Sequence, residues 1–176
     1  MSGTLRIVAV FTAAAVLYGL LHDQVTARVC LEYFTVAHRP IARSSSATVL
    51  GAVWALVAAA PAGIFAGTLV SLAARDGLGP KLEWRRFVRP LLRLAAMTAG
   101  AAMLAGLAGY VLTARGAVRM IADYAHVITP PRQPRFMAVV YAHIASFTAG
   151  ITGTLVIAVR AQALRARLRV ERHGVA

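Results

Sequence analysis

The chain has 176 residues, 59% of them hydrophobic and only 14% charged, with 19 Lys and Arg against 6 Asp and Glu. A mean hydropathy of +0.69 excludes an ordinary water-soluble domain, whose outside needs more polar surface than these residues supply. The net charge of +13 gathers at the ends of apolar runs without the interleaved aromatics of a nucleic-acid surface, so the expected partners are anionic lipid headgroups and not nucleic acid.

Taken in chain order, Ile7 to Leu21 carries no charge and no histidine, and Ala47 to Ala74, Leu94 to Ala114 and Phe136 to Val159 are uncharged. A bilayer core of ~30 Å needs about 20 apolar residues in a helix. The last three runs meet that length, and the first does so if its helix begins before Arg6 or continues past Leu21. No small-x-small cleavage site follows the first run, so it reads as an uncleaved anchor. The pattern predicts a single all-α domain, a membrane-embedded four-helix bundle, with helices over approximately 5–31, 47–74, 90–114 and 136–165.

The connections carry their own signals. Ser44, Ser45 and Ser46 offer an N-cap for the second helix, and Asp76-Gly77 opens the second loop as a turn. Trp84 and Phe87 among arginines suit a headgroup-level segment. Pro130, Pro131 and Pro134 predict an extended end to the third loop. The N-terminal tail, second loop and C-terminal tail hold 12 of the 19 cations. That bias places both termini in the cytoplasm and the first and third loops outside. Small residues at helical spacing (Gly51 and Ala55; Ala59, Gly63 and Gly67; Ala102 and Gly106; Ala105 and Gly109; Ser146, Gly150 and Gly153) give each later helix a face for close packing. Those faces suit neighbouring helices within the bundle, a second copy, or a membrane-protein partner.

The unusual segment is the end of the first run. If that helix continues to Tyr33, its period of about 100° per residue puts His22, Asp23, Thr26 and Cys30 on one arc, with Tyr18 a turn below. Arg28 and Glu32 then form an i,i+4 pair on the far side. His143 stands eight residues past Arg135, about 12 Å into the last helix, where an unpaired imidazole is costly. The topology puts its end of that helix beside the outer end of the first. His22, Asp23, Glu32, His38, His126 and His143 therefore all lie toward one membrane face.

Several chemistries fit this grouping. His22, Asp23, Glu32 and His143 form a candidate transition-metal site of imidazole and carboxylate donors, with Tyr18, Thr26, Arg28, Cys30 and His38 around it. The spacing matches no established metal motif such as HExxH or CxxC. His22 and His143 also suit axial haem ligands, or the same groups line a proton or ion path. In a purely structural reading, His143 bonds to Asp23 or Tyr18 and fixes how the first helix meets the fourth. No Ser-His-Asp order, phosphate-binding glycine loop or paired carboxylates stand out, so no catalytic residue is assigned.

The stretch YGLLHDQVTARVCLEYFTVAH, from Tyr18 to His38, together with RRFVRPLLRL and YAHIASFTAG, resembles an uncharacterised family of small bacterial four-span membrane proteins. The family carries an HDQxTARxCxEYFTxxH stretch followed directly by Pro, whereas here Arg39 stands between His38 and Pro40. The resemblance implies the four-span architecture in a bacterial inner membrane and brings no activity with it. Two classes of function follow: a protein with a metal-binding polar site near the outer face, or an accessory subunit of a larger membrane complex.

Overall fold

A computed structural model of the protein describes residues 2–39 and 41–173. Its elements are α1 (Gly3–Val29), α2 (Glu32–Thr35), α3 (Ala47–Arg75), α4 (Arg85–Ala114), α5 (Ala122–Ala125), a 3₁₀ turn (Pro130–Arg132) and α6 (Gln133–His173). Four of the helices, α1, α3, α4 and α6, are long and apolar enough to cross a membrane. At ~1.5 Å per residue, even the 27 residues of α1 span about 40 Å. The expected all-α four-helix architecture is what the chain adopts.

Local chemistry sets most helix ends. Ser2 and Ser46 cap α1 and α3, each side chain accepting a hydrogen bond from a backbone N–H three residues on. Past α4, Gly116 takes a positive φ of 72°. Its N–H bonds to the Thr113 carbonyl and that of Ala117 to Leu112, closing the helix in a Schellman turn. Gly77, with φ of 67°, supplies the turn expected from Asp76-Gly77.

Three expectations about the connections are corrected. The first helix does not reach Tyr33. It ends at Val29, and Cys30 is extended (φ −153°, ψ 103°). Turning there lets Cys30 and Phe34 sink to 3% and 2% exposure, which a straight helix projecting beyond the bundle would not allow. The prolines of the third loop begin a helix instead of preventing one: Pro130 and Pro131 lie in the 3₁₀ turn and Pro134 in the first turn of α6. Their fixed φ suits a helix start, where the missing N–H has no intrahelical partner to lose. Likewise α4 starts five residues before Pro90 and buries Phe87 and Leu91. Pro40, which follows Arg39 at the end of the Tyr18–His38 stretch, lies outside the described residues.

The bundle is two hairpins set side by side. α1 packs along α3, and α4 along α6. Glycine makes both seams close. A Cβ on Gly63 would lie 2.6 Å from Thr12 Cα, one on Gly67 2.7 Å from Val8 Cα, and one on Gly109 2.9 Å from the Met137 carbonyl oxygen. The small-residue faces of α3 and α4 are thus used inside the chain, as bilayer helices require when the lipid is as apolar as leucine. Away from the site, the hairpins are tied by Arg165 of α6. It is buried and donates to the backbone carbonyls of Ala73, Asp76 and Pro80, covering the C-terminal end of α3.

Candidate functional site

The hairpins also meet near the opposite end, where α1 faces α6. His143 comes ten residues after the start of α6 at Gln133, and Asp23 six residues before the end of α1 at Val29. His143 Nε2 lies 3.2 Å from Asp23 Oδ1, with side-chain exposures of 12% and 9%. The other ring nitrogen, Nδ1, lies 2.9 Å from the carbonyl oxygen of Val139, one turn back in the same helix. A carbonyl only accepts, so Nδ1 carries a proton. One further proton occupies the bond to Asp23, as imidazolium facing carboxylate or as imidazole facing carboxylic acid. Either way the pair is net neutral, the state that a low-dielectric setting favours.

His22 completes the group. Its ring centroid is 4.6 Å from that of His143, at 72°, and it stacks on Tyr18 at 5.6 Å. Tyr18 shares a 2.7 Å hydrogen bond with Ser146, one turn beyond His143 on α6. His22 Nε2 is buried and has no hydrogen-bond partner among the described residues. His22, Asp23 and His143 each offer one ligand atom, and these atoms lie within 4.8 Å of one another.

The donor set fits a transition-metal ion. Ligand bonds of ~2.0–2.2 Å place neighbouring donor atoms of a tetrahedral site about 3.3 Å apart. The His143–Asp23 separation of 3.2 Å is close to that value, and all three donor atoms lie within 4.8 Å of one another. The Nδ1–H of His143 is held by Val139, as the second ring nitrogen of a metal-bound histidine usually is, leaving Nε2 as ligand. Two imidazoles and one carboxylate with open positions suit zinc or non-haem iron.

Glu32, expected as a fourth ligand, is elsewhere. Because the helix ends at Val29, the i,i+4 pair of Arg28 and Glu32 does not form. Arg28 donates to Gln24 and to the Thr48 hydroxyl at the head of α3, while Glu32 pairs with Arg132 and accepts from the Cys30 thiol. Partial burial raises the Glu32 carboxyl, but its own backbone N–H, Arg132 and Cys30 together hold it below the usual carboxylate range. Burial, then the hydrogen bond and charge of Glu32, push the Cys30 thiol up to about 11. Cys30 is therefore an inert packing residue.

The other surrounding residues divide. Thr26 donates back to the His22 carbonyl at 3.1 Å. His38 Nδ1 contacts the Tyr33 carbonyl, and its ring packs on Trp54. His126 is exposed after α5. The rings of His22 and His143 lie 4.6 Å apart, closer than two axial imidazoles on opposite faces of a haem.

The sequence reading missed Tyr33, whose ring lies 4.5 Å from that of His143 and covers it on the loop side. Burial, then the Asp23 charge, push its phenol up to about 12. Val139 and Ser146 were also missed, although both lie at helical spacing from His143. Arg132 carried no sequence signal as the partner of Glu32.

This geometry defines a four-span helical protein with a His-Asp-His group between its hairpins. Comparison with protein families, with curated proteins and with solved structures finds no match to the chain.

Proposed function

We propose that this chain is an integral membrane protein, of a bacterial inner membrane with both termini cytoplasmic, that binds one transition-metal ion through His22, Asp23 and His143 toward its outer face. One observation carries the reading. His22 Nε2 is buried without a partner beside the bonded Asp23–His143 pair, and a buried unpaired imidazole nitrogen costs about 1–3 kcal/mol unless something binds it. A bound ion would satisfy His22 and displace the single proton of the pair. It would supply a Lewis-acidic centre with open positions.

The test is a titration of the metal-free protein in detergent with Co²⁺. Visible d–d bands saturating at one ion per chain, absent in His22→Ala, support the site. A featureless titration refutes it. The structural reading, in which Asp23–His143 and Tyr18–Ser146 only fasten α1 to α6, rests on those two interhelical bonds. It is the one left standing if no metal binds. The likeness of Tyr18–His38 to the uncharacterised four-span family remains a further proposal, implying that relatives keep the same two histidines and aspartate.

A further inference from the structure

The two hairpins do not close on each other along their whole length. A groove of about 800 Å³ runs between α1 and α4, and a cavity of about 480 Å³ lies between the hairpins on the other side of His22. His22 and Tyr18 line both. Volumes of about 300–1,000 Å³ are those of small-molecule sites. The rim of the groove is formed by Leu17, Leu21, Val25, Leu92, Met103 and Leu107, each more than 60% exposed. In a bilayer these side chains face lipid, so the groove opens sideways to the membrane. On the loop side, Tyr33 and buried Phe34 stand against His143. The open approach to the His-Asp-His group is thus from the bilayer.

The lining limits the occupant. No Lys, Arg, Asp or Glu lines the groove, and Asp23, the one such residue lining the second space, is already bonded to His143. His22 lies seven residues below the end of α1, about 10 Å along the helix. In the metal-free chain, a phosphate or carboxylate head drawn to that depth would lose its hydration with no Lys or Arg in the lining to offset the loss. Of the three buried side-chain polar atoms without partners among the described residues, two belong to residues that line these spaces: His22 Nε2, and Thr98 Oγ1 in the second, whose residue is 4% exposed. They call for a neutral group with hydrogen-bonding oxygen.

We propose that the groove between α1 and α4 binds a neutral amphiphile dissolved in the bilayer, its apolar chain lying along the groove and its carbonyl or hydroxyl head reaching His22 and Thr98. This goes beyond the metal-site reading and concerns the metal-free chain, in which His22 Nε2 meets the head group; an ion bound to that nitrogen would compete with it.

The test uses the full chain in nanodiscs of defined lipid, once loaded with Co²⁺ and once stripped by chelator. The probes are decylubiquinone for a carbonyl head, dodecanol for a hydroxyl head and dodecyl phosphate for a charged head. The expected result, in the stripped chain, is saturable binding of a neutral probe at one per chain, at least tenfold tighter than dodecyl phosphate, and weaker once Co²⁺ occupies His22. Ala99→Phe, which fills the groove from an exposed position, weakens that binding at least tenfold and leaves Co²⁺ stoichiometry unchanged. Thr98→Val weakens it several-fold with the same fold and metal content. Absence of saturable binding to the stripped form, or equal binding of the charged probe to it, overturns the inference while leaving the metal site intact. Probe binding to a protein that never takes up Co²⁺ overturns the metal site and leaves the groove. A dimer that Ala99→Phe dissociates, with no probe bound, would place a second copy in the groove and also overturn the inference.

Discussion

Replacing Asp23 in two ways separates its role in holding the bundle from its role toward a metal. In Asp23→Ala, His143 Nε2, in a side chain 12% exposed, loses its only partner among the described residues. Leaving such a group unpaired costs about 1–3 kcal/mol, roughly a 5- to 150-fold fall in the folded-to-unfolded ratio. In Asp23→Asn, the amide N–H donates to Nε2 while His143 keeps its Nδ1 proton on Val139. That bond needs no charge on either side, so the expected cost is below about 1 kcal/mol. Neutral amide oxygen is a poor ligand for zinc or iron compared with carboxylate. Asp23→Asn should therefore fold like the native protein yet bind Co²⁺ at least tenfold more weakly. The assays are denaturant-induced unfolding in mixed micelles, followed by helical circular dichroism, and chelator competition for the metal. Equal destabilisation by the two substitutions would refute the proton assignment. Native metal affinity in Asp23→Asn would refute Asp23 as a ligand.

Three further outcomes are expected. Gly63→Ala should destabilise by about 1–3 kcal/mol, because its Cβ meets the α1 backbone, whereas Gly150→Ala, with nothing within 4 Å of its Cβ, should be neutral in the same unfolding assay. Glu32→Gln should cost less than about 1 kcal/mol at pH 7, since Arg132 is 60% exposed. The Glu32 carboxyl lies lower in the folded chain than in the unfolded one. Its contribution is therefore full above the unfolded value near 4.3 and disappears as pH falls through the folded value, so native and Glu32→Gln stabilities should converge below about pH 4. A difference that grows in acid would contradict the pair. Metal binding should release one proton per ion, seen in weakly buffered solution as a stoichiometric pH drop. Zero protons would mean that the ion does not displace the Asp23–His143 proton.

The four spans and the meeting of His143 with Asp23 were legible because each follows from a single strong constraint. Uncharged runs such as Ala47–Ala74 have no other stable setting, and a histidine as deep as His143 must find a partner. The Ser46 cap was equally readable, being local chemistry three residues wide. The end of α1 at Val29 was not. Nothing in Val29-Cys30-Leu31 breaks a helix, and the turn is decided by burial of Phe34 against Ala27 and Leu50, a tertiary term. From that miss followed the misplaced Glu32, whose partner Arg132 lies 100 residues away in sequence. The prolines before α6 show the opposite error. Pro130 and Pro134 are compatible with both an extended segment and a helix start, and the continuing helix chose the second.

The central claim is that His22, Asp23 and His143 hold one metal ion between the hairpins. Elemental analysis of the purified chain after equilibration with Zn²⁺ and removal of free ion tests it most directly, with His22→Ala alongside. The expected ratio is one zinc per native chain and close to none in the variant. A metal-free native chain, or a variant that keeps its zinc, would contradict it.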